Sequence, residues 1–193
     1  MPQIARESLL SLESYARERN AFRSRVIAHK KTRSVLLGEH VRLLFEDELT
    51  IRYQVQEMLR IERIFEDEGI QGELDVYNPM IPDGGNWKTT MLIEYEDPGE
   101  RRICLAGLGG IEDQVWMQVE GGARLRAIAD EDLDREDGDK TSAVHFLRFE
   151  VPEPDRRALK SGASLTIGVD HPNYSASVVV LPDVRTSLAA DLA

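Results

Sequence analysis

A carboxylate on the apolar side of a predicted helix is the first residue that could carry chemistry. Residues 45–69 place apolar side chains at helical spacing, and Glu62 projects between two of them, Ile51 and Val55. The other members of this stripe are Met58, Leu59 and Phe65. A buried carboxylate without a partner costs several kcal/mol, so it must be neutral, paired or bound to a cation. We therefore expect Glu62 to be buried as a candidate acid, base or metal ligand.

His145 is the second candidate, because it lies on the apolar face of a predicted strand over residues 143–151. The residues that share this face are Ala143, Leu147, Phe149 and Val151. One interpretation is a core histidine with one satisfied hydrogen bond. A sharper hypothesis is that His145 and Glu62 meet as an acid/base pair or as metal ligands. If Glu62 instead meets an arginine such as Arg25 or Arg148, the pair is structural.

A second set of polar residues lies on the flank of the same helix. Tyr53, Glu57 and Arg60 follow one another at i, i+4 and i+7, and Glu57 can pair with Arg60. A phenol, a carboxylate and a guanidinium together can hold a small anionic or polar ligand. The alternative is a solvated helix flank.

Residues 77–86 contain two prolines and two glycines, which predicts an irregular loop. Its polar residues Tyr77, Asn78 and Asp83 complete a set of candidate ligand contacts with Glu62 and His145. The acidic run over residues 130–140 resembles a calcium loop but fails its spacing, because Arg135 stands where glycine is required. No phosphate-binding loop, dinucleotide fingerprint or nucleophile elbow occurs, so the sequence assigns no catalytic residue, metal or cofactor.

Composition indicates a folded protein of one domain. The 193 residues are 41% hydrophobic and 31% charged, which is ordinary for a globular chain. The single cysteine, Cys104, excludes an intrachain disulfide. No apolar run approaches the ~20 residues that span a bilayer, and the first 20 residues do not resemble a secretory signal. We expect a cytoplasmic protein with no membrane partner.

Charge is segregated along the chain. Residues 1–33 contain eight Lys/Arg and three acids, a net +5, so residues 34–193 carry −16 of the total of −11. This basic segment can recruit an acidic partner, or it can dock on its own acidic body or on that of a second subunit. Nucleic acid is not an expected partner, because the aromatic platforms of RNA modules and the helix-turn-helix spacing are missing.

The order of predicted elements indicates the fold class. Residues 1–70 are rich in helix and residues 71–185 in strands, while residues 186–193 read as a frayed tail. Gly121-Gly122 predicts a hairpin. Because strands do not alternate with helices, we predict an α+β fold, with N-terminal helices packed on a largely antiparallel sheet or sandwich.

Several blocks of the sequence resemble a known bacterial family, the domain of unknown function 3501. The blocks are HKKTRSVLLG, FEDELTIRYQVQEMLRIERIFEDEGIQGELDVYNPMIPDG, ADEDLDR and KTSAVHFLRFE, and the similarity covers about residues 7–151. The resemblance implies a cytoplasmic bacterial protein. It also implies an accessory role in a redox or peroxide system, because genes of this family neighbour those for a rubrerythrin-type di-iron protein and an iron–sulfur protein.

Two classes of function follow from these observations. The first is a non-catalytic accessory protein that docks with a redox partner through its charge-segregated surface. The second is a small-molecule-binding or metal-binding enzyme built around Glu62, His145 and the loop with Tyr77, Asn78 and Asp83. A homodimer is compatible with either class, and the sequence does not decide whether the protein is an enzyme.

Overall fold

A computed structural model describes residues 3–129 and 141–193 of the chain. Within these ranges the α-helices are α1 (Leu12–Lys30), α2 (Glu48–Glu62), α3 (Asp67–Tyr77), α4 (Pro98–Ala106), α5 (Glu153–Lys160) and α6 (Pro182–Ala189). The strands are β1 (Ser34–Leu37), β2 (Val41–Phe45), β3 (Asn86–Ile93), β4 (Val115–Val119), β5 (Arg124–Arg126), β6 (Ile128–Ala129), β7 (Val144–Glu150), β8 (Leu165–His171) and β9 (Tyr174–Val179). The α+β class predicted from the sequence is confirmed.

The strands form two antiparallel sheets around one core. One sheet has the order β1-β2-β3-β7-β6 and the other the order β5-β4-β8-β9. Their inward side chains pack together, with Phe45, Trp87 and Phe149 from the first sheet and Val115 and Ile167 from the second. This arrangement is the predicted sandwich. The hairpin predicted at Gly121-Gly122 joins β4 to β5, and Gly121 has the positive φ of 78° that such a turn requires.

The helices at the front of the chain surround a second apolar cluster. Ile51, Val55 and Leu59 of α2 pack there against Leu74 of α3 and against Ile4. The single helix predicted over residues 45–69 is wrong, because the chain is strand up to Phe45 and two helices follow.

Local chemistry sets the ends of α2. Asp47 caps the helix in a reciprocal capping box with Thr50. The helix ends at Glu62 because Arg63 adopts the left-handed conformation, with φ of 56°. The next helix begins four residues further on, at Asp67.

Helix α6 and the four residues that follow it pack on the core, so the predicted frayed tail is wrong. Leu188 and Leu192 are buried, and the indole Nε1 of Trp87 donates a 2.9 Å hydrogen bond to the carbonyl of Leu188. The amide of Ala193 donates to the carbonyl of Gly84. Val184, Leu188 and Leu192 follow one another at intervals of four residues, which gives this segment an apolar face that packs on the sandwich.

No helix within the described ranges has both the length and the apolar character needed to cross a bilayer. The acidic run over residues 130–140 lies outside the described residues, so its interpretation as a loop stays a prediction. The assignment of residues 1–193 to one domain also stays a prediction.

Candidate functional site

Glu62 is exposed, which corrects the expectation that it is a buried carboxylate. It is the last residue of α2, and Phe65, predicted on the same apolar stripe, is 70% exposed. The projection that placed Glu62 between Ile51 and Val55 assumes that the helix continues over the core. Because α2 ends at Glu62, this side chain lies beyond the last buried residue of the stripe, Leu59.

His145 is buried, but its neighbours differ from those predicted. Its Nε2 lies 2.9 Å from the carbonyl of Ser142 and 3.1 Å from Oγ1 of Thr141. Its Nδ1 lies 3.8 Å from Oε2 of Glu112, so the carboxylate that faces the ring is Glu112 and not Glu62. The acid/base pair of Glu62 and His145 is therefore wrong.

The arginine alternatives for Glu62 are not seen either. Arg25 lies over the ring of Phe22, 4.8 Å from its centroid, and Arg148 lies 3.3 Å from Glu150.

Glu112 and His145 face each other inside the protein. Because Nε2 donates to the carbonyl of Ser142, the Nδ1 of a neutral ring is an acceptor, and it faces a carboxylate oxygen that is also an acceptor. Among residues 3–129 and 141–193, the buried Oε2 of Glu112 has no hydrogen-bond partner. A hydrogen-bond donor or a cation between the two atoms would satisfy both. Glu112 precedes β4 in a short turn, and no spacing in the sequence marks it.

Glu57 is the centre of a polar cluster that joins α1 to α2. It accepts hydrogen bonds from Oη of Tyr15 at 2.6 Å and from Nε and one terminal nitrogen of Arg19 at 2.7 and 2.9 Å. The predicted pairing with Arg60 is present at 3.2 Å. Tyr53 packs edge-to-face on Phe22, with ring centroids 5.8 Å apart, and it interacts electrostatically with Tyr15 and Arg19.

The protonation states of this cluster are fixed near neutral pH. The hydrogen bonds from Arg19 lower the pKa of Glu57 to about 2, and those from Tyr15 and Arg60 act in the same direction. Burial raises the pKa of Tyr15 well above its ordinary value, and the hydrogen bond to Glu57 adds to the rise. Groups with such pKa values do not exchange protons readily at neutral pH. The cluster therefore fastens α1 to α2.

The predicted loop residues hold the chain's own backbone. The side-chain amide of Asn78 accepts from the amide of Ile4 at 2.9 Å and donates to its carbonyl at 3.2 Å. Asp83 accepts from the amide of Gly85 at 2.8 Å. Tyr77 packs on the cluster of the front helices. A cavity of about 690 Å³ lies beside Asn78 and Asp83, and its other lining residues include Arg6, Gln71, Leu74 and Lys88.

The contacts of Tyr77, Asn78 and Asp83 do not support the predicted ligand set that combined them with Glu62 and His145. Each contacts backbone or apolar neighbours, as described above, and neither of the two candidate acid/base residues is among those contacts.

Arg33 is a buried cation that the sequence interpretation missed. It is 1% exposed and donates to the carbonyl of Phe45 at 2.9 Å and to the carboxylate of Asp191 at 2.5 and 3.2 Å. Its Nε lies 3.4 Å from Asp47, which also contacts His29. Burial opposes ionisation of Asp47, but the amide of Thr50 and the charge of Arg33 hold its pKa below the usual range.

Helix α1 is exposed along most of its length. Of its 19 residues only Tyr15 and Val26 are buried. We call the side opposite these two residues the α1 outer face, defined by exposed residues at helical spacing: Arg17, Asn20, Ser24, Ile27, Ala28 and Lys31, the last being the residue that caps the helix. Arg19 and Arg33 pair with acids of the same chain, whereas Arg17 and Lys31 project outward.

Within residues 3–129 and 141–193, no group of three or more His, Cys, Asp and Glu side chains is arranged to hold a metal ion.

Comparison with known proteins identifies the family. A family model described as a protein of unknown function (DUF3501) matches residues 3–192. The chain belongs to this family. The match extends the DUF3501 resemblance of the sequence blocks through β8, β9 and α6.

A DUF3501-like fold is also present in a solved structure, a novel protein of unknown function from Burkholderia pseudomallei K96243. It is 55% identical to this chain, the similarity covers 100% of both chains, and the TM-score is 0.94. A search among curated proteins gives no significant match.

Proposed function

We propose that this DUF3501 protein is a non-catalytic cytoplasmic accessory protein that docks through the α1 outer face onto an acidic protein of a redox system. The first partners to test are a rubrerythrin-type di-iron protein and an iron–sulfur protein, which the family resemblance suggests. The observation that carries the proposal is that a helix of 19 residues buries only two of them.

Most helical stability in proteins comes from packing of one face on a core. A mostly solvated helix gains little of this stabilisation, so a partner that packs on α1 would stabilise the helix further. Glu57, Tyr15 and Arg19 hold the inner side of α1 in place, which leaves its outer side available to a partner.

Charge supports an acidic partner. Residues 34–193 carry −16, so most of the body repels an acidic protein. Arg17 and Lys31 lie on the α1 outer face, and Arg23 is exposed beside it. An acidic partner is therefore steered toward α1, and the encounter weakens as salt screens the charges.

An apolar groove beside the start of α1 offers an anchor for the same partner. It has a volume of about 500 Å³, and its apolar lining includes Leu9, Leu12, Leu59, Ile64 and Phe65. Phe65 is 70% exposed on one wall. Large apolar side chains set in pockets carry much of the energy of protein interfaces.

Binding of purified partners tests this function. The dissociation constant is measured for each candidate partner at about 20 mM and about 300 mM salt, because the higher salt screens the surface charges much more strongly. We expect binding at low salt that weakens roughly tenfold at high salt. The double variant Arg17→Gln/Lys31→Gln is expected to bind weakly at both salt concentrations. Its control, Arg102→Gln/Lys160→Gln, has the same charge change at exposed positions of α4 and α5. If neither partner binds at low salt, the proposal fails.

The second candidate function is a metal-binding or small-molecule-binding enzyme, and the pair of His145 and Glu112 favours it. Their facing atoms, Nδ1 and Oε2, are 3.8 Å apart, and Oε2 has no hydrogen-bond partner within the part of the chain that the structure describes. A cation between them would lie close to the usual ~2.1 Å from each atom.

Thermal melting with added Fe²⁺, Mn²⁺ or Zn²⁺ tests the second candidate, since a ligand that binds the folded state raises Tm. The rise is expected in the wild type and should be absent in Glu112→Gln. An equal rise in both proteins, or none in either, counts against it.

A further inference from the structure

Strand β9 is an exposed edge. Within the described ranges it pairs only with β8, at the end of the four-stranded sheet. Val179 is 59% exposed and Leu181, just after the strand, is 66% exposed. The hydrogen bond from the amide of Val180 to the carbonyl of Leu165 shows which alternate residues of this strand bond to β8. It follows that the backbone groups of Ser175, Ser177 and Val179 point away from β8.

The sequence of this edge lacks the usual protection against pairing. Residues 174–181 read YSASVVVL and contain no charge and no proline, in a chain that is 31% charged. Natural proteins block exposed edges with charges, prolines, bulges or very short strands. The other sheet edges among the described residues are protected in these ways. Strand β5 has Arg124 and Arg126, β6 has two residues, and β1 has four.

We propose that β9 is a dimerisation strand that pairs antiparallel with β9 of a second copy of this chain. The two four-stranded sheets would then form one continuous sheet of eight strands. An antiparallel pair of identical strands obeys two-fold symmetry, so the edge is complementary to itself.

Charge restricts where a second copy can approach. Two copies repel each other over most of their surface, because residues 34–193 of each carry −16. The uncharged edge is a place where they can approach without bringing like charges together. Pairing of the two strands would also cover part of the exposed side chain of Val179. This surface is separate from the α1 outer face, so the dimer does not depend on the proposed function.

Sedimentation velocity of the full chain over a range of concentrations tests the dimer. We expect a species of twice the 21.8 kDa chain mass that dissociates on dilution. Ser177→Pro removes an outward amide donor without a loss from the β8 ladder, and Val179→Lys places a charge on the edge. Both variants are expected to be monomers. Gln54→Lys, with the same charge change at an exposed position of α2, should remain a dimer.

Three results would overturn the proposal. One is a wild type that is a monomer at every concentration. Another is a dimer that persists in Val179→Lys. This variant alone tests the proposal if Ser177→Pro does not fold. The third is a dimer that is lost in Arg17→Gln/Lys31→Gln but kept in Val179→Lys, since this would place the contact on α1.

Discussion

Arg19 donates two hydrogen bonds to Glu57, at 2.7 and 2.9 Å, and so ties α1 to α2. The side chains of Arg19 and Glu57 are 27% and 12% exposed, although α1 itself is mostly exposed. A bidentate contact between a guanidinium and a carboxylate fixes orientation as well as distance. It explains how a helix with two buried residues keeps a defined position.

Glu57→Gln should destabilise the protein by about 2 kcal/mol, because the charge-assisted bonds from Arg19, Tyr15 and Arg60 are weakened together. Denaturant unfolding measures the change. The control is Glu62→Gln, an exposed position of the same helix, for which less than about 0.5 kcal/mol is expected. Equal unfolding midpoints for the two variants would show that the cluster does not stabilise the fold.

The same carboxylate predicts a pH dependence. The pKa of Glu57 is lowered from its ordinary value of 4.5 to about 2. Its contribution to stability is therefore complete above pH ~4.5 and is lost as the pH falls toward 2. Between these limits the wild type should lose about 2 kcal/mol more than Glu57→Gln does. Parallel curves of unfolding free energy against pH for the two proteins would contradict this sign and size.

Asp191→Ala should destabilise the C-terminal helix by about 3 kcal/mol, because it leaves the buried Arg33 without its closest carboxylate. The indole of Trp87 bonds to Leu188 in this helix, so its fluorescence reports the loss. Asp183→Ala, at an exposed position of α6, should cost less than about 1 kcal/mol. If Asp191→Ala changes neither the fluorescence of Trp87 nor the stability, the charge of Arg33 is compensated without Asp191.

Asn78→Ala should release the N-terminal segment, since the amide of Asn78 bonds both backbone groups of Ile4. Loss of the two bonds is expected to cost about 1–2 kcal/mol locally. Hydrogen exchange at Ile4 should become faster, while Gln71→Ala, on the exposed side of α3, leaves it unchanged. If exchange at Ile4 is the same in both variants, other contacts hold the segment.

Local patterns predicted much of the fold. Alternation over residues 143–151 predicted β7, and Gly121-Gly122 predicted the β4–β5 hairpin. These signals are read within one element, where side-chain periodicity and turn chemistry act directly. The ends of α2 were harder, because the left-handed conformation of Arg63 has no glycine or asparagine to announce it.

The candidate site was harder to predict than the fold. Glu57 and Arg60 could be paired from their spacing, but Tyr15 and Arg19 come from another helix. Arg33 and Asp191 are 158 positions apart. Glu112 faces His145 across the fold from a short turn that has no periodic pattern. Contacts of this kind depend on how separate elements pack together. A helical projection of one segment gives no information about that packing.

Hydrogen exchange of α1 with and without the candidate partner tests the central claim most directly. A helix that is solvated on most of its surface opens easily, so its amides should exchange quickly in the free protein. Binding of the rubrerythrin-type or iron–sulfur protein at low salt is expected to slow exchange over residues 12–30, and high salt should remove the effect. A complex that forms while these residues keep their free rates would contradict the account.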